Sequence, residues 1–145
     1  MRIYRLAQVY LDEEENQPPT KSINDVEPLL PEIVRVAQDE YDKWDESDID
    51  VYAGGGICHL IADRIADVLN ENDIDAYTVS DDDQHVLCIV RVIEGIGMVD
   101  IHHSWYETGA AFTWTKIPGV IFDPSNVTVE ILDSDYNNLK NYVEL

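Results

Sequence analysis

The stretch HVLCIVRVIEGIGMVDIHHSWY, residues 85–106, decides the architecture of this 145-residue chain. Its first nine residues are β-branched and aliphatic in the way of a strand. EGIG at 94–97 carries the glycines of a turn, and MVDIHHSWY at 98–106 returns as the second arm of a hairpin. Further strand-like runs stand on either side: DAYTVS at 75–80, a shorter AFTWT at 111–115, NVTVEIL at 126–132, and RIYRLAQVYL at 2–11 as an edge strand. The acidic DEEENQPPTKS at 12–22 reads as an exposed loop.

Two helical segments precede the hairpin. In PEIVRVAQDEYDKW, residues 31–44, Pro31 suits a first helical position and Ile33, Val36, Ala37, Tyr41 and Trp44 share one face. In YAGGGICHLIADRIADVL, residues 52–69, Cys58, Ile61, Ala62, Ile65 and Leu69 form a buried stripe. His59, Asp63, Asp67 and Asn70 recur on the wet face, with His59 and Asp63 spaced as a surface pair. Helices first and strands after predict an α+β fold, with N-terminal helices packed on a mostly antiparallel sheet. The length and 45% hydrophobic content suit a single domain over residues 1–145.

Thirty acidic against 9 basic residues give a net charge of -21. Phosphate backbones and anionic lipid repel such a surface, which argues against direct nucleic-acid or membrane binding. Acid-rich, lysine-poor surfaces also keep proteins dissolved at high salt. No apolar stretch has the length of a membrane span or the pattern of a signal peptide, so a cytoplasmic protein with both cysteines reduced is expected.

The glycine loop at 54–56 ahead of Cys58 is the chemically suggestive feature. A helix N-terminus stabilises negative charge, and a thiol placed there loses its proton more readily and becomes a nucleophile. A cysteine on the core face of a helix also packs well as a small hydrophobe. Cys88, by contrast, falls among Val86, Val90 and Val92 and reads as core.

A cysteine opening a buried helix, His85 opening a strand 27 residues later and Asp100 a further 15 on form an ordered set. In order and setting, residues 54–104 resemble the papain-like and transglutaminase-like cysteine enzymes, which include bacterial cell-wall amidases. The resemblance implies a papain-like core with Cys58 as nucleophile, His85 as its acid–base partner and Asp100 orienting the ring. Backbone N–H groups at the helix start would help hold an oxyanion. The glutamine usual in papain-like enzymes is missing, since Tyr52 and Ala53 stand upstream. Tyr52, Gly56 and Trp105 are the candidate substrate-binding residues, and Tyr106 and Trp114 are further aromatics for a cleft.

The third member is contested. A tight turn about Gly95 and Ile96 sets Asp100 opposite Arg91, six residues along the strand from His85 and about 20 Å away. His102 is nearer in that register and is the alternative; Asp100 is preferred because a carboxylate orients imidazole more strongly. No C-x-x-C or H-x-x-x-H pair marks a zinc site, no glycine–lysine loop marks a phosphate site, and neither metal nor cofactor is expected. The sequence thus predicts a cysteine-dependent amidase, peptidase or acyl transferase working through a thioester. A peptide- or amide-containing substrate is expected, and the acidic surface favours cationic ones. The competing reading is a non-catalytic acidic binding protein, an inhibitor or nucleic-acid mimic, on a degenerate version of the same fold.

Overall fold

The computed structural model describes residues 4–5, 18–44, 57–80, 85–109 and 115–139. The glycine loop, Tyr52, Gly56 and Trp114 lie outside them, as does all of the 2–11 run except β1 (Tyr4–Arg5). Helix α1 spans Leu30–Lys43 with Pro31 in its first turn, and it buries Ile33, Val36, Ala37 and Tyr41. A 3-10 turn that the pattern did not suggest, Ile23–Leu29, leads into it behind a Ser22–Asp25 capping box. Helix α2 spans Ile57–Glu71 and buries the predicted stripe with Cys58 included. Ile57, Ile61, Ile65 and Leu69 are each at most 1% exposed. Burial of one such side chain contributes roughly 1.5–3 kcal/mol, which pins the helix and with it the position of Cys58.

The strands are β2 (Asp75–Ser80), β3 (Val86–Val92), β4 (Gly95–Asp100), β5 (Glu107–Thr108), β6 (Thr115–Lys116) and β7 (Thr128–Asp133). An antiparallel sheet runs in the order β1-β2-β3-β4-β7, and β5 pairs with β6 separately. The fold is α+β. Every residue of β3 is buried because both faces of the strand are covered. Val86, Cys88, Val90 and Val92 join the helices in the larger core. Leu87 and Ile89 join Tyr77, Val79, Ile96 and Leu139 in a second cluster on the other face. Among the described residues, no helix is long and apolar enough to cross a membrane.

The central hairpin departs from its predicted register. The turn is Ile93–Glu94 and not Gly95–Ile96, because Val92 pairs with Gly95 and Cys88 with Val99. Residues 21–23 clamp it: Ile93 N–H donates to the Lys21 carbonyl at 2.9 Å, and the Glu94 carboxylate accepts from Ile23 N–H at 2.9 Å and from the Ser22 hydroxyl. The glycines serve close packing in the strand. A Cβ on Gly95, at φ +138°, would meet the Asp133 carbonyl oxygen at 1.8 Å, and one on Gly97 would crowd Ile23 and Val90. With the turn two residues earlier, Arg91 faces Ile96, and Asp100 moves four positions along β3 toward His85.

The returning strand is also shorter than the 98–106 run suggests. It ends at Asp100, and a 3-10 turn follows at His103–Trp105. His102 Nδ1 accepts from Ser104 N–H at 3.2 Å, a local bond that competes with continued strand pairing. In the same way NVTVEIL begins its strand only at Thr128, after a 3-10 turn capped by Asp123.

Candidate active site

Cys58 lies in the first turn of α2 and is 4% exposed. Strict alternation along β3 would send His85 to the face of Leu87 and Ile89, away from α2. His85 stands one residue ahead of β3, where no ladder dictates its side-chain direction, and its imidazole meets the Cys58 thiol. The N–H of the next residue, Val86, donates to Cys58 Sγ at 3.5 Å. One end of β3 thus offers the sulfur both a ring and a backbone donor.

Asp100, the last residue of β4, is brought to the other side of the ring. His85 Nε2 and Asp100 Oδ2 are 2.7 Å apart, and both side chains are buried. An ionised carboxylate only accepts hydrogen bonds, so Nε2 carries the proton. The calculated separation of about 20 Å is therefore corrected to direct contact, through the register shift described above. His102, the alternative, has its ring 5.1 Å from that of His85, while its Nδ1 is bonded to Ser104 Oγ at 2.8 Å.

Burial alone would push the His85 imidazolium down. The hydrogen bonds to Asp100 and Cys58, with their charges, outweigh it and raise the group to about 10. The ring therefore stays cationic through neutral pH, the condition for a thiolate–imidazolium pair. Cys88 lies elsewhere: it is fully buried, its thiol contacts the Ile89 carbonyl at 3.8 Å, and burial pushes the thiol up.

Two neighbours of the site, the Val86 N–H and Glu107, carry no sequence signal of their own, and Tyr106, a cleft aromatic by sequence, lies in the core. The Val86 donor is main chain. Tyr106 is fully buried with a hydroxyl that lacks a hydrogen-bond partner among the described residues, and burial raises it well above the usual tyrosine range. Glu107 is one acid among 30 by sequence, yet it is 4% exposed, with Oε1 3.9 Å from His103 Nδ1. Trp105 is 52% exposed at the end of the turn that bears His103. His59 Nε2 and Asp63 Oδ2 form the surface pair anticipated for α2, at 3.2 Å. Among the described residues, no group of three or more His, Cys, Asp or Glu side chains is arranged to hold a metal ion. No family model, curated protein or solved structure matches the chain.

Proposed function

We propose that the protein is a cysteine-dependent amidase, peptidase or acyl transferase with a papain-like core, and that Cys58, His85 and Asp100 are its catalytic residues. The observation that carries this reading is the burial of Cys58 under the Val86 N–H with the adjacent His85 ring, which interacts with the thiol and is held to Asp100 at 2.7 Å. His85 Nε2 is committed to Asp100, so proton exchange with the thiol and substrate falls to Nδ1.

The Cys58 thiolate attacks the carbonyl carbon and a C–S bond forms while the carbonyl electrons move to oxygen. Collapse of this intermediate breaks the C–N bond, and the departing amine takes the proton from His85. A water molecule or a second nucleophile then gives its proton to His85 and attacks the thioester, releasing the acyl group and restoring the pair. The Val86 N–H stabilises the sulfur anion between turnovers. Trp105, beside the His103 turn, together with Tyr52 and Gly56, would contact substrate, and the net charge of -21 would draw cationic peptides toward it.

The test is to incubate the protein with a panel of peptide amides and activated peptide esters, then analyse it by intact-mass and peptide-mapping mass spectrometry. Acylation of Cys58 in the wild type, absent from a folded Cys58→Ser variant, is the expected result. A protein that is never acylated, and that instead binds basic partners with an affinity lost at high salt, would favour the acidic binding protein.

A further inference from the structure

Four charged or polar side chains are buried among the described residues: His85, Arg91, Asp100 and Glu107. Arg91 lies apart, against Asp75 at 3.6 Å and over the Tyr136 ring. The other three meet at the histidines. Two carboxylates, out of 30 acids in the chain, are thus buried beside adjacent imidazoles, Asp100 at His85 and Glu107 at His103.

Burying a carboxylate is costly unless it is paired, and here the available cation is turned elsewhere. Lys116 is the strand partner of Glu107, yet its ammonium donates to the Trp44 carbonyl at 3.2 Å and sits 4.4 Å from the centre of the Tyr41 ring. Among the described residues Glu107 Oε2 has no hydrogen-bond partner, and Oε1 faces His103. The His103 ring lies 5.0 Å from that of His85 and 4.3 Å from that of His102. We propose that Glu107, acting through His103, is a second positioning carboxylate for His85, and that its ionisation strengthens the hold of His85 on its proton. This rests on the reading of Cys58 and His85 as that pair.

The electrostatics agree with the geometry. Burial raises Glu107 to about 7, and the His85 charge opposes that rise. Coupling is mutual, so an ionised Glu107 stabilises the His85 imidazolium in turn. The groups facing His85 are Cys58 from α2, Asp100 from β4, His102 and His103 at the 3-10 turn, and Glu107 at the start of β5, while Tyr106 interacts with Cys58, Asp100 and Glu107. Below neutrality Glu107 is protonated and its support is withdrawn, leaving Asp100 to hold the His85 charge; above it both carboxylates face the histidines.

The experiment is a pH titration of the full chain with 15N-labelled histidine, following the His85 ring by NMR in wild type, Glu107→Gln, Glu107→Asp and His103→Asn. A step near pH 7 in the His85 signals is expected in the wild type. Glu107→Gln should remove it, Glu107→Asp retain it and His103→Asn diminish it. The pH at which His85 itself loses its proton, about 10 in the wild type, should also fall in Glu107→Gln. A wild type without the step, or a step that survives in Glu107→Gln and so belongs to His102 or His103, overturns the inference. If His85→Ala slows Cys58 alkylation by iodoacetamide while Glu107→Gln changes neither the step nor that pH, only the role of Glu107 falls. If Cys58 is indifferent to His85 as well, the catalytic reading falls with it.

Discussion

The two cysteines are a controlled comparison within one core. Cys58 and Cys88 are both reduced, both almost fully buried and both part of the cluster shared by the helices and one face of the sheet. They differ in what touches the sulfur. Cys88 sits in the middle of β3, where burial pushes its thiol up more than a Tyr77 main-chain hydrogen bond lowers it, and where the thiol donates to the Ile89 carbonyl. Cys58, in the first turn of α2, packs against the end of the same strand, where His85 and the Val86 N–H converge on it. Strand ends are where the alternating pleat ceases to dictate side-chain direction, and there a polar array can enter a core without breaking the ladder. Burial therefore does not separate an inert thiol from a nucleophilic one; the partners within hydrogen-bonding reach do.

The comparison can be broken most severely at Asp100. Asp100→Asn removes the charge that holds His85 protonated and replaces an acceptor with a group that can present its donor to Nε2. Cys58 reactivity at pH 6 is expected to fall about 10²-fold or more, with Cys88 unchanged, as measured by mass-resolved alkylation. The same variant has a signature in stability. A histidine raised from 6.5 to about 10 contributes stability that is full below pH 6.5 and lost as the pH rises through about 10. Urea denaturation should therefore show a deficit for Asp100→Asn at pH 7 that narrows by about pH 10.5.

The complementary variant sharpens the contrast from the other side. Cys88→Ala should cost roughly 1–2 kcal/mol in urea melts, through lost packing inside β3, and leave the alkylation rate of Cys58 unaltered. The smallest effect is expected at His102. Its ring lies against His85, but its Nδ1 is engaged by Ser104 and Asp100 already orients His85. His102→Asn should change Cys58 reactivity less than about twofold. A loss as large as that from Asp100→Asn would make His102 the orienting residue instead.

The sequence made the helices and most of the strands legible because their periodicities are strong. The α2 stripe from Cys58 to Leu69 and the strand at Asp75–Ser80 can be read directly from residue type. The hairpin register could not be read, because the glycines that mark a turn in sequence were needed for a different purpose. Gly95 makes room for the Asp133 carbonyl and Gly97 for Ile23, both far away in the chain, and the true turn is held by Ser22 and Ile23. That two-residue displacement decides whether Asp100 or His102 seems nearer to His85, so a local misreading became a misplaced carboxylate. Glu107 was hidden for a different reason. In a chain with 30 acids, one more carries no signal until burial singles it out. Tyr52 and Gly56, named from sequence as substrate contacts, lie outside the described residues.

The most direct test of the central claim is the rate of iodoacetamide alkylation at Cys58 and Cys88, resolved by mass spectrometry from pH 5 to 9, in wild type and His85→Ala. Wild-type Cys58 is expected to react rapidly at pH 6 while Cys88 stays unmodified, and His85→Ala to slow Cys58 at that pH by about 10²-fold. Cys58 that is inert in the folded protein, or that reacts only as the pH approaches about 8.5 with no effect of His85, would contradict it.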